Sequence, residues 1–264
     1  MSPDYSSMWA KLDRAEELLN RLDNEVAAWH KVKPYRVVNE RNAELTRYST
    51  VVYVDEPPPI VRWSLQISDI IHNLRCSLDH LLWAIVVYES PNHKPVGADS
   101  LTFPIWEAPP NSVAARNIAC LSAGVRTAIE YMQPYNRSPS RGALSHPLTL
   151  LRDFDNRNKH RLLQLSTAAV ASANMEITFS GDEPDEPTFF LHRGEIKNRT
   201  EVIVATFSRP HSHVKYDFRI SIIIAMIYEK ANAAGADRDG YAALMDVLVN
   251  EVIDVIGAVA STVK

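Results

Sequence analysis

The chain has 264 residues, is 46% hydrophobic, and carries 28 Lys and Arg against 32 Asp and Glu, a formal charge of −4. That length supports one sizeable core or two modest domains. The acidic balance excludes a protein that coats nucleic acid non-specifically, since such binding draws on an excess of cations to neutralise phosphate. The two cysteines, Cys76 and Cys120, form no C-x-x-C pair, which points to a reducing compartment rather than a disulfide framework. The polar start, MSPDYSSMWAKLDRAEELL, is unlike a signal peptide, and the longest apolar run, Ile220–Tyr228, is far short of the roughly 20 residues that span a bilayer. The expectation is a cytoplasmic protein with no membrane contact.

Residues 8–31 predict a helix. Leu12, Ala15, Leu19, Leu22, Val26 and Trp29 alternate at spacings of three and four, a seam that packs on its own bundle or on a helical partner. Pro34 ends it. Two β-rich runs, Tyr35–Asn39 and Ser49–Asp55, predict a hairpin over about 35–55, closed by Pro57–Pro59 as a linker. Residues 63–88 then give the strongest helix, with Ile67, Ile70, Ile71, Leu74, Leu78, Leu81, Leu82 and Ile85 on a wide apolar face.

After a Pro/Gly loop, "LTFPIWEAPP" is an extended segment with aromatic anchors. Short helices are predicted at 111–119 and 122–132, then a Ser/Pro/Arg/Gly loop. Another helix opens at Pro147, a favoured first position, and is predicted to reach about Ala169. About four strands follow before residue 230, with acidic "GDEPDEP" and "RPHSH" turns that leave His211 and His213 facing solvent. Residues 239–262 predict an amphipathic helix, with Leu244, Val247, Leu248, Val252, Val255 and Val259 inward and Asp246, Asn250 and Asp254 outward. The fold class is α+β: a helical bundle carrying an antiparallel sheet, with a helical part at 1–170 and strands plus a last helix at 171–264 packed on the same domain.

The chemistry concentrates in "DIIHNLRCSLDHLL", residues 69–82. At about 100° per residue, His72, Arg75 and Asp79 share one flank beside the apolar stripe, with Cys76 and His80 next around the helix. Arg75 and Asp79, four apart, suit an ion pair. In "HPLTLLRDFDNRNKHRLLQL", Leu150, Leu151, Phe154, Leu162 and Leu165 mark an apolar arc that also takes in Asn158 and, at its edge, Asp155. Burying a carboxylate and an amide costs several kcal/mol unless both are paired. Arg75, His72 and His80 are the natural partners. The expectation is two helices facing each other across Arg75, Asp79, His80, Asp155, Asn158, Lys159 and His160, with His72, Asn73 and Arg161 beside them.

Three readings of that cluster are open. It fixes helix register as a salt-bridge network, or it binds a metal, or it acts on a phosphate ester. His72 and His80 lack the i, i+4 spacing that chelates well, and Arg75 and Lys159 oppose a cation, so no metal or cofactor is assigned. Arg75-Cys-Ser-Leu-Asp-His80 fits R-x4-H and so resembles the HEPN domains, an α-helical family common in bacterial toxins and antiphage defence. The resemblance implies a metal-independent ribonuclease, usually a homodimer. Arg75 would hold the scissile phosphate of an RNA substrate and His80 would act as acid/base, with Asp79 and His160 completing the catalytic set, Lys159 and His160 supplying extra positive charge, and His72, Asn73, Asp155, Asn158, Lys159 and Arg161 binding. The chain is also similar to a broader group of uncharacterised bacterial proteins that combine an HNLRxxLDH helix, an FPI segment, a QPY turn and an NxxKHR-like helix. Here these read His72–His80, Phe103–Ile105, Gln133–Tyr135 and Asn156–Arg161. The different-class alternative is a non-catalytic binding or regulatory protein whose polar cluster is structural.

Overall fold

The computed structural model describes residues 2–90, 101–111, 118–137, 143–158, 165–179, 185–192, 196–211, 214–226 and 240–263. The helices are α1 (Ser6–Lys31), α2 (Ile60–Glu89), α3 (Ala123–Tyr131), the single turn α4 (Pro134–Arg137), α5 (Pro147–Asn158) and α6 (Tyr241–Ala260). The strands are β1 (Tyr35–Arg41), β2 (Arg47–Val54), β3 (Leu165–Phe179), β4 (Thr188–Leu191), β5 (Thr200–Thr206) and β6 (Val214–Met226). The α+β class expected from patterning is the fold observed.

The core belongs to α2. Its residues Ile67, Ile70, Ile71, Leu74, Leu78, Leu81, Leu82 and Ile85 are fully buried. The α1 seam supplies Leu12, Ala15, Leu22, Val26 and Trp29 to the same core, so its heptads are satisfied within the chain. Trp29 fixes the far end of this helix pair. Its ring meets Trp63 edge-on at 5.8 Å, and its Nε1–H donates to the Glu56 carbonyl at 3.1 Å, just before the prolines that lead into α2. Among the described residues α2 is the one helix long and apolar enough to cross a membrane, and more than half of that apolar window is buried inside the protein.

The hairpin closes on Asn42, whose side-chain oxygen accepts the Thr46 and Arg47 N–H groups at 2.9 and 2.8 Å. Its sheet runs β1-β2-β5-β4, antiparallel throughout, so strands from the second half of the chain complete a hairpin from the first. β3 and β6 form a separate antiparallel ribbon. The helix expected to run from Pro147 to Ala169 is corrected here. Its described part is Pro147–Asn158, residues 159–164 lie outside the described residues, and residues 165–169 open β3, where Leu165 pairs with Met226. The mainly apolar strand "SIIIAM" pairs with this stretch through a ladder whose register shifts between Ser166 and Ala169 and between Val170 and Ser172, and that pairing overrides local helical spacing. The helix expected at 111–119 falls largely on residues 112–117, outside the described residues.

In α6, Leu248, Val252, Val255 and Val259 point inward and Asp246, Asn250 and Asp254 outward as expected. Val247 does not: it is exposed, while Met245 and the carboxylate-bearing Glu251 are buried. His211 is likewise corrected. Its ring lies 4.9 Å from Phe207, and its Nε2 sits 3.0 Å from Asp185, so the "RPHSH" turn is anchored through it. His213 lies outside the described residues.

Candidate functional site

Along one flank of α2 the predicted cluster divides into two groups with different partners. The first grips the backbone. Arg75 donates from Nη2 to the Phe103 carbonyl at 2.7 Å, and the Phe103 N–H donates to Asp79 Oδ1 at 2.7 Å. Arg75 and Asp79 also pair with each other at 3.2 Å, the i, i+4 bridge expected from spacing. The two side chains therefore satisfy both polar groups of one residue, as a neighbouring β-strand would.

The same extended segment is held from its other side. Gln133, fully buried, accepts the Trp106 N–H at 2.7 Å and donates to the Pro104 and Ile129 carbonyls at 3.1 and 3.0 Å. Arg152 of α5 donates to the Ile105 carbonyl at 3.2 Å and pairs with Glu107 and Asp153. Pro104 favours an extended backbone at Phe103 before any contact forms. The HNLRxxLDH helix, the FPI segment and the QPY glutamine thus form one clamp. Sequence reasoning paired Arg75 with Asp79, as the spacing of four residues suggests, and also gave it a partner on α5; its second partner is instead the Phe103 carbonyl.

The second group crosses from α2 to α5. His72 Nδ1 lies 3.1 Å from Asp155 Oδ1. The Asp155 side chain is 4% exposed and that of His72 is 52% exposed, so a buried carboxylate holds a half-open imidazole. This is the pairing that burial of Asp155 demanded. His72 Nε2 lies 3.4 Å from Cys76 Sγ. Burial pushes the Cys76 thiol up, opposed by the positive charges of Lys11 and Arg75. Lys11 of α1 donates to Asn73 Oδ1 at 3.4 Å, and Asn73 donates back to the Asp69 carbonyl at 2.8 Å.

His80 is partly exposed one helical turn beyond Cys76. Asn158 is the last described residue of α5, and its side chain lies outside what the structure describes, as do Lys159, His160 and Arg161 entirely. Arg75 Nη1 is buried with no hydrogen-bond partner among the described residues. Among the described residues no group of three or more His, Cys, Asp and Glu is arranged to hold a metal ion. His72 has one ring nitrogen 3.1 Å from Asp155 Oδ1 and the other 3.4 Å from Cys76 Sγ.

A third polar group escaped sequence reasoning. Glu251 of α6, buried, pairs with Arg137 at 2.5 Å and lies 4.0 Å from His146 Nε2. The Leu148 N–H donates to His146 Nδ1 at 3.2 Å, which places the ring proton on Nε2, toward Glu251. Burial, with Arg137 second, pushes His146 down to about 4. Burial raises the Glu251 carboxyl. The available signal was Glu251 itself, at an inward position of an otherwise apolar helix stripe.

Comparison with known proteins finds no matching family model, no matching curated protein and no matching solved structure.

Proposed function

We propose that this is a non-catalytic interaction protein in which the polar residues of α2 hold the fold and the binding surface lies elsewhere. The observation that carries this reading is the employment of Arg75. Its side chain is 11% exposed, and its guanidinium is engaged by the Phe103 carbonyl and by Asp79. A phosphate would have to displace both, exposing a carbonyl and leaving a carboxylate uncompensated.

A surface of the right character exists at β4. It is the outer strand of its sheet, paired only with β5 among the described strands, and all four of its residues are exposed. Three of them are large and apolar, with Phe190 the most open at 59%. An edge of this kind offers main-chain groups and exposed apolar side chains to an added strand. The partner is therefore an extended peptide segment with alternate apolar side chains.

The metal-independent ribonuclease is the second reading, and one observation favours it: Arg75 Nη1 is buried with no hydrogen-bond partner among the described residues, on the helix that also carries part-exposed His80. Incubation with RNA in EDTA separates the two. The interaction reading expects no cleavage by the wild type, and for Arg75→Ala a loss of about 2–3 kcal/mol, the scale of charged hydrogen bonds removed from a buried carbonyl. Cleavage by the wild type that both Arg75→Lys and His80→Ala abolish, with melting temperatures unchanged, overturns it in favour of the nuclease.

A further inference from the structure

The second polar group on α2 has an order of contacts that the clamp does not use. Cys76 and His72 stand four residues apart on one face of the helix, with Sγ 3.4 Å from Nε2. Behind the ring, Nδ1 meets the buried carboxylate of Asp155 at 3.1 Å. A carboxylate accepts only, so Nδ1 carries the ring proton and the Nε2 lone pair faces the thiol. Thiol, imidazole and orienting carboxylate then stand in the sequence that activates a sulfur nucleophile.

We infer that Cys76 is a nucleophilic thiol, a site of covalent modification by small soft carbon electrophiles, with His72 as its proton acceptor and Asp155 as the positioning residue. The inference holds whether or not the protein acts on RNA. Burial disfavours a preformed thiolate at Cys76, so the sulfur rests as the thiol and its proton moves during attack. As the Sγ–carbon bond forms, the bond from carbon to the leaving group breaks and the leaving group departs with the electron pair. The thiol proton passes to His72 Nε2. Lys11 and Arg75 favour the negative charge that develops on sulfur, and Asp79 and Asp155 oppose it. The half-exposed His72 ring leaves small reagents a path to the pair.

The chain carries its own reference. Cys120 is an exposed free thiol, with no hydrogen bond to a histidine found among the described residues. The full-length protein is treated with iodoacetamide at neutral pH, and modification of each cysteine is followed by peptide mass spectrometry. His72→Gln is expected to slow Cys76 about tenfold, the low end of general-base assistance. Asp155→Asn should slow it severalfold, with the Cys120 rate unchanged in both. An unchanged or faster Cys76 rate in a folded His72→Gln variant overturns the inference. Should either variant unfold, the wild type alone decides in deuterium oxide. A normal solvent isotope effect on Cys76 and not on Cys120 supports proton transfer to His72, and equal effects at both thiols sink it.

Discussion

At the scale of single residues, burial decides which polar groups do what. His146 is 3% exposed in its side chain and faces Arg137 and Glu251. In the unfolded chain it takes up a proton near 6.5; in the folded protein it resists until about 4. The unfolded state therefore binds more protons across that interval, and stability is lost as pH falls through it. At 1.36 kcal/mol per unit the full effect is about 3 kcal/mol. Glu251, whose carboxyl is raised, works with the opposite sign, since protonation favours its folded form. The expected outcome is a melting temperature that drops more steeply between pH 6.5 and 4 for the wild type than for His146→Gln; equal slopes would refute the assignment. The His72–Asp155 pair was legible in the sequence, because a carboxylate on an apolar helix face must find a partner nearby. Arg75 was legible as the mate of Asp79, but its bond to Phe103 was not, because a backbone carbonyl has no letter in the sequence.

At the scale of elements, amphipathic helices were the most legible and strand ends the least. The α1 seam and the α2 stripe are continuous over many turns, so one misread position changes little. Leu22, 1% exposed between those helices, illustrates the energetics: Leu22→Ala should cost about 2–5 kcal/mol in denaturant unfolding. The sequence of residues 159–164 gave no such redundancy, and helical spacing alone extended α5 into what is β3. β4 is the opposite case, four residues whose exposure no local pattern announces. A double substitution there, Phe189→Lys with Phe190→Lys, should leave stability within about 0.5 kcal/mol because neither side chain is buried. It should abolish binding of strand-forming peptides selected by display on the wild type. Undiminished peptide binding by the double variant would remove β4 as the docking edge.

At the scale of the whole molecule, chain order and spatial order part company. The boundary drawn near residue 170, between two parts expected to pack on the same domain, runs through shared structure, since β2 pairs with β5 and α6 buries Met245, Leu248, Val252, Val255 and Val259 in the core built on α2. A fragment of residues 1–170 should therefore lack a cooperative thermal transition by circular dichroism. A sharp transition in that fragment would show that the first part folds alone. The linear pattern suggested packing on one domain but not which strands pair or where α6 docks, because sheet order and helix docking are long-range outcomes. The clamp on residues 103–107 has a consequence for how the chain can change over generations. Arg75, Asp79 and Gln133 read the main chain, while the Phe103 side chain is read only by the core. Position 103 can drift among bulky apolar residues that still donate an N–H, whereas loss of Arg75 removes the reason to keep Asp79. Descendants should inherit these positions together or abandon them together, so that three separated words of sequence behave as a single heritable character.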